Sequence, residues 1–156
     1  MSSIGGKAAI AGIGQTEFSK ESGRSEMQLA SEAVKAAIDD AGLKPTDVDG
    51  MVTFTVEENE EIEVARNVGI GDLTFFSRVP HGGGAAAGTV AHAAMAVAAG
   101  VADVVVCYRA FNERSGMRFG GSGRTSAETP LFMAHYAPFG LLTPAAWVGL
   151  DSPRAN

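Results

Sequence analysis

The chain has 156 residues, of which 46% are hydrophobic and 19% charged, a balance typical of a globular protein with one domain. Its formal net charge of −6 and the lack of a run of five lysines or arginines argue against a nucleic-acid-binding protein. No secretory signal or membrane-spanning stretch is evident, and the single cysteine, Cys107, excludes an internal disulfide, so we expect a cytoplasmic protein.

The N-terminal third of the chain alternates between predicted strands and a predicted helix. Lys7–Ile13 is a short apolar run, which predicts a buried strand. Ser25–Ala41 has helical periodicity, with Ser25 as the expected N-cap and Gln28 as its partner in a capping box. Met51–Val56 is rich in β-forming residues and predicts the second strand.

The middle of the chain continues the alternation. Glu57–Glu63 contains five glutamates in seven residues, which we expect to be an exposed face that leads into a helix over Ile62–Val68. Leu73–Val79 predicts a strand, and Ala85–Ala99 predicts a helix of small residues. Ala102–Tyr108 predicts a strand that is buried on both faces, as in parallel sheets, and this places Cys107 in the core.

The order β, α, β, α, β, α, β predicts an α/β fold with a mixed, mostly parallel sheet and helices on both faces. We expect residues 1–156 to form one domain, in which residues 112–142 are a long loop or insertion. Thr143 and Pro144 suit the N-cap and first position of a further helix.

Three segments resemble the thiolase superfamily, in particular its lipid-transfer or sterol-carrier type. They are Ala9–Phe18, the helix Ala30–Ala41 followed by Asp47–Gly50, and His81–Val106, where a glycine turn precedes an alanine-rich helix. Each motif alone is common, but their order and spacing together are specific. The resemblance implies the N-terminal half of a thiolase-like fold.

The nucleophile of a thiolase has no counterpart here. In that family a cysteine begins the alanine-rich helix, and counting back from Gly100 places this position at Gly83. The stretch His81–Gly88 contains neither cysteine nor serine. Without a thiolate no acyl-enzyme forms, so a conventional acetyl-CoA acyltransferase is disfavoured. The resemblance places the other catalytic groups of the family in its C-terminal half, so we assign no catalytic residue.

Tyr108–Gly116 is similar to a subgroup of the family that acts as aldolases on β-hydroxyacyl-CoA thioesters in bacterial steroid side-chain degradation. A retro-aldol reaction needs a base and an oxyanion hole, but no acyl-cysteine. The resemblance therefore implies an aldolase subunit with a CoA thioester as substrate, no cofactor, and an OB-fold partner of the DUF35 type. It also implies a homodimer that pairs through Leu73–Val79. A non-catalytic acyl-CoA or lipid-binding protein is the alternative.

Candidate substrate-binding residues occur in two places. The turn before the alanine-rich helix (His81, Gly82, Gly83, Gly84) offers backbone N–H groups to a thioester or phosphate oxygen. Asn112, Arg114 and Arg118 follow a strand at the edge where ligands of parallel sheets bind, and arginine suits CoA phosphates. A packing turn and a solvated loop or dimer contact are the alternatives. No histidine has metal-ligand spacing, so we expect no metal site.

Overall fold

The computed structural model describes residues 4–54, 59–79, 86–112 and 135–141, together with Ala146 and Gly149. The chain divides into two compact units, Met1–Asn112 and Glu113–Asn156. The described part of the first unit contains helices α1 (Glu26–Asp40), α2 (Glu61–Val68) and α3 (Ala86–Ala98), and strands β1 (Gly50–Phe54), β2 (Phe75–Val79) and β3 (Val105–Cys107). A short 3-10 turn, Pro45–Asp47, precedes β1.

The three strands form a parallel sheet in the order β2-β1-β3. Gly50 is in register with Phe75 on one side and with Val105 on the other. Val52 packs with Val79 and with Ala93 of α3 on one face of the sheet. Met51 packs on the opposite face, in the cluster that contains the buried side chains of α1 and α2. The predicted parallel α/β fold with helices on both faces is thus confirmed.

The local signals for α1 are confirmed at its start. Ser25 is the N-cap, and its hydroxyl accepts a hydrogen bond from the backbone N–H of Gln28 at 3.1 Å. The predicted return half of the capping box, from the Ser25 N–H to the Gln28 side-chain oxygen, is not formed in the described residues. The Gln28 amide nitrogen instead donates to Glu32 one turn later, at 2.8 Å. Leu29 and Val34 are among the residues that α1 buries against the sheet.

The predicted strand at Lys7–Ile13 is wrong: the segment pairs with no strand among the described residues. It lies against α1 instead, where Gly12 and Gly14 bring its backbone next to that of the helix. The N–H of Ile13 donates to the carboxylate of Asp40 at 2.9 Å, and the Ile13 side chain is 77% exposed. The apolar composition of this segment suggested a buried strand. Its two glycines, which have no side chain, instead allow its backbone to lie directly against the backbone of α1.

The carboxylate of Asp49 fixes the spacing of the sheet at its amino end. It accepts hydrogen bonds from the backbone N–H groups of Asp103 and Val104, at 3.0 and 2.9 Å. The carbonyl of the same residue accepts from the N–H of Thr74 at 2.8 Å. Asp49 therefore joins the chain before β1 to the segments that lead into both neighbouring strands.

In the second unit, a 3-10 turn spans Ala137–Phe139, and Ala146 and Gly149 are helical. The predicted helix start at Thr143–Pro144 and most of the predicted loop at residues 112–142 lie outside the described residues. Among the helices that the structure describes, none is both long and apolar enough to cross a membrane.

Candidate functional site

A cleft of about 220 Å³ opens where β1 and β3 end, next to the first turns of α3. Carboxyl ends of parallel strands are where α/β proteins bind their ligands. The cleft is lined by Phe54 from β1, three α3 residues, and the segment that ends β3: Ala86, Thr89, Val90, Cys107, Tyr108 and Arg109. Its position matches the sequence-based expectation that ligands gather beyond the strand that precedes Asn112.

The wall of the cleft is largely apolar. Phe54 is almost completely buried, and Val90 of α3 is 46% exposed. The hydroxyl of Thr89 donates to the carbonyl of Ala86 within α3, at 2.7 Å. This internal bond occupies the hydroxyl proton, so Thr89 has no proton to donate to a ligand in the cleft.

Arg109 brings a positive charge to the rim of the cleft. Its guanidinium carbon lies 5.1 Å from the centre of the Phe54 ring and 4.5 Å from that of Phe111. Such stacking orients the guanidinium and holds its positive charge beside the two rings. Sequence analysis did not identify Arg109 as a binding residue. The sequence did contain a signal for it, because an arginine that lies between the end of a strand and a phenylalanine can stack on that ring.

Cys107 lines the cleft, so the prediction that it is a buried core thiol is wrong. The residue is exposed, and its thiol donates to the carbonyl of Thr89 at 3.5 Å. β3 is an outer strand of the described sheet, so residues at its end are not covered as they would be in a central strand. Partial desolvation raises the pKa of the Cys107 thiol, against a smaller lowering effect of the Thr89 side chain. The thiol therefore lacks the lowered pKa of a catalytic nucleophile.

Asn112 is the one predicted substrate-binding residue that the structure describes, and its amide braces two segments. Its Nδ2 donates to the carbonyl of Arg24 at 2.7 Å, and its Oδ1 accepts from the Ser22 hydroxyl at 3.1 Å. Arg24 forms ion pairs with Glu17 and Glu32, and its hydrogen bond lowers the pKa of Glu17. Asn112 thus holds the segment after β3 to the chain before α1.

The remaining predicted binding residues, His81, Gly82, Gly83, Gly84, Arg114 and Arg118, lie outside the described residues and stay predictions. The described parts of the chain contain no cluster of three or more His, Cys, Asp or Glu side chains suited to a metal ion.

The opposite face of the sheet carries an ion pair that corrects the expectation of an exposed acidic run. Glu61 is buried at the start of α2, where its carboxylate accepts from Nε of Arg78 at 2.8 Å. Glu60 lies 3.7 Å from the same guanidinium. The hydrogen bond to Glu61 raises the pKa of Arg78. Glu60 and Glu63 are exposed as expected, whereas the Glu61 side chain faces β2.

No protein-family model matches the chain. It is 65% identical over 158 residues to the steroid side-chain-cleaving aldolase of Thermomonospora curvata, covering 99% of this chain and 40% of that protein. It is 61% identical to the 17-hydroxy-3-oxo-4-pregnene-20-carboxyl-CoA lyase of Mycobacterium tuberculosis, covering 97% of this chain and 40% of the relative. The chain thus spans about two fifths of the length of the curated relatives that it matches.

Solved structures agree with these relatives. The Ltp2-ChsH2(DUF35) aldolase superposes with a TM-score of 0.81 at 66% identity, covering 95% of this chain and 37% of that one. A monomeric SCP2-thiolase-like protein type 1 from Mycobacterium smegmatis gives a TM-score of 0.54 at 31% identity, covering 63% of this chain and 22% of that one. The chain is therefore a homologue of a steroid side-chain-cleaving aldolase and of a CoA lyase, and its fold is similar to that of an SCP2-thiolase-like protein.

Proposed function

We propose that the chain is part of a thiolase-fold aldolase that cleaves β-hydroxyacyl-CoA thioesters in steroid or lipid side-chain degradation. The observation that carries this proposal is the identity of 65% and 61% with an aldolase and a CoA lyase along nearly the whole chain. The chemistry of the described cleft supports it, because Cys107 has a raised pKa and is unsuited to carry an acyl group.

The reaction needs a substrate with a hydroxyl group β to the thioester carbonyl, as in 17-hydroxy-3-oxo-4-pregnene-20-carboxyl-CoA. A base removes the hydroxyl proton, a ketone forms at that carbon, and the adjacent carbon–carbon bond breaks. The electron pair of that bond moves to the thioester as an enolate, which is then protonated on carbon to give propionyl-CoA. No electrons leave the substrate, so the proposal requires no cofactor.

Within this reaction the described cleft would bind and orient the substrate. Val90, which is 46% exposed, offers apolar surface to the acyl or steroid portion. Arg109 supplies a fixed positive charge for the phosphates or the thioester oxygen of CoA. His81, Gly82–Gly84, Arg114 and Arg118 are proposed to extend this binding surface.

We also propose two protein partners and a cytoplasmic location. The solved aldolase complex that the chain resembles contains a DUF35 protein, and this supports an OB-fold partner of that type. A homodimer that pairs through β2 is supported by the position of β2 at one edge of the described sheet and by Phe76, which is 64% exposed there. The lone Cys107 suits a reducing compartment. If Phe76→Glu leaves the mass measured by light scattering unchanged at a dimer, pairing through β2 is refuted.

The proposed activity is tested by incubating a complete protein that contains these residues, with and without its DUF35-type partner, with 17-hydroxy-3-oxo-4-pregnene-20-carboxyl-CoA. Mass spectrometry is expected to detect propionyl-CoA and the 17-ketosteroid in equal amounts. The aldolase of Thermomonospora curvata serves as the positive control. If that relative releases propionyl-CoA and the complete protein with its partner binds the thioester without releasing it, the proposal fails.

A further inference from the structure

Three polar side chains form a row across the carboxyl end of the sheet, on the face that packs against α2. Thr53 of β1 is in register with Arg78 of β2. On the other side of β1, the N–H of Tyr108 donates to the carbonyl of Val52 at 3.1 Å, so Tyr108 continues alongside Thr53. Side chains alternate along a strand, so Thr53 shares the face of Met51, which packs against α2 residues.

Two buried polar atoms in this region lack a hydrogen-bond partner in the described part of the chain. They are the hydroxyl oxygen of Thr53 and the side-chain nitrogen of Asn59, whose residues are 3% and 4% exposed. Asn59 belongs to the same cluster, because its backbone carbonyl accepts from the Tyr108 hydroxyl at 2.7 Å. Buried polar groups of folded proteins are almost always paired, with protein or with ordered water.

The charges around these atoms select the chemistry of a ligand. Arg78 is paired with Glu61 at 2.8 Å and lies 3.7 Å from Glu60, so the cluster has no surplus positive charge for an anion. The Asn59 amide nitrogen only donates hydrogen bonds, whereas the Thr53 hydroxyl donates or accepts. A small neutral group with an oxygen lone pair, such as water, satisfies both atoms. Because both atoms are sealed from solvent, the group must be small.

We propose that Thr53 and Asn59 form a binding site for one buried water molecule, which joins the end of β1 to the chain that enters α2. A bound water makes about three hydrogen bonds, so the two side chains and one further acceptor or donor satisfy it. The site lies across the sheet from the cleft, and Phe54, the residue after Thr53, forms a wall of that cleft. The water thus steadies the strand end that positions Phe54.

The sign of a stability change tests this proposal. Thr53→Val removes the hydroxyl and keeps the shape of the side chain, and Asn59→Leu removes the amide. If a water bridges the two groups, each variant leaves the water and the other side chain underpaired, and the melting temperature falls by about 2–4 °C. The double variant falls by less than the sum of the two, because both changes disrupt the same water.

The matched control is Thr89→Val, which removes a buried hydroxyl that has a partner, the carbonyl of Ala86. The proposal expects Thr53→Val and Thr89→Val to change the melting temperature in the same direction. A dry site gives the opposite result, because replacing an unpaired buried hydroxyl with a methyl group is neutral or stabilising. A neutral or raised melting temperature for Thr53→Val, or strict additivity with Asn59→Leu, overturns the proposal.

A direct measurement covers the case in which a variant fails to fold. A high-resolution crystal structure of the unaltered chain is expected to show a water within hydrogen-bond distance of the Thr53 hydroxyl and the Asn59 amide. A direct hydrogen bond between these two side chains, with no water touching either, overturns the proposal. Neither experiment depends on aldolase activity, so its outcome is separable from that of the proposed function.

Discussion

Replacement of Gly14 by alanine tests how the segment at residues 7–18 lies against α1. A Cβ added to Gly14 would be 2.3 Å from the carbonyl oxygen of Ala33 and 2.4 Å from the backbone nitrogen of Ala37. Both distances are far below van der Waals contact, and both neighbours are backbone atoms of α1. Since helix backbone cannot rotate out of the way as a side chain can, the segment itself must move away from α1.

The size of the effect follows from what that movement disrupts. Forcing extra atoms into a packed contact costs about 1–3 kcal/mol. Loss of the bond from the Ile13 N–H to the Asp40 carboxylate adds up to about 1 kcal/mol, since this bond is exposed to water. For a protein of this length 1 kcal/mol shifts the melting temperature by about 2–4 °C. We therefore expect Gly14→Ala to lower the melting temperature by roughly 2–16 °C.

Gly71→Ala is the matched control. A Cβ at Gly71 meets no atom within 4 Å, and its backbone has no positive φ that alanine would avoid. Alanine there reduces the freedom of the unfolded chain, so stability should be unchanged or rise by up to about 1 kcal/mol. Thermal unfolding followed by circular dichroism measures both variants. If Gly14→Ala melts at the same temperature as Gly71→Ala, the packing of this segment on α1 is refuted.

Three further predictions concern the site and the sheet. Arg109→Gln should raise the KM for the CoA thioester at least about 10-fold, as expected for losing a charge-assisted hydrogen bond, while Arg66→Gln on the exposed side of α2 should not; equal KM values would contradict the role of Arg109. Asp49→Ala should lower the free energy of unfolding by about 2–3 kcal/mol, and Asp49→Asn by less because one acceptor oxygen remains; urea unfolding decides this. The Cys107 thiol should react with a disulfide reagent more slowly at pH 7.5 than free cysteine does. The pKa of this thiol is raised in the folded state, so the protonated thiol contributes to stability. That contribution should be fully present below the unfolded pKa of about 8.5 and should be lost as the pH rises through the pKa of the folded state. The free energy of unfolding of Cys107→Ala should not fall over the same pH range.

Local signals predicted most of the described elements. The cap at Ser25 and the apolar periodicity after it located α1, and the β-branched run at Met51–Val56 located β1. The apolar run at Lys7–Ile13 failed because strand formation needs a pairing partner, and a sequence pattern does not show what lies beside it. The two glycines in that segment, at positions 12 and 14, were the available signal, because they permit backbone-to-backbone contact with a helix.

The predicted binding residues stay predictions, and the residues that line the described cleft were not among them. The rule that ligands bind at carboxyl ends of parallel strands located the cleft, and the resemblance to thiolase-like aldolases supplied the chemistry. Arg109 was missed because its role depends on two aromatic rings, one of them on a different strand. The pairing of Glu61 with Arg78 was missed for a similar reason, since the partners are 17 residues apart and meet only when α2 packs on β2.

The central place of β1 has a consequence for the order in which the chain folds. Both strands that flank β1 come later in the sequence, and β3 begins at Val105, 55 positions after Gly50. α1 needs only local hydrogen bonds, so it can form as soon as it leaves the ribosome. The sheet must await the closure of long loops, and β1 has one open edge until residue 107 has been synthesised. Chaperones that shield strand edges should therefore act most strongly on nascent chains that end between β2 and β3.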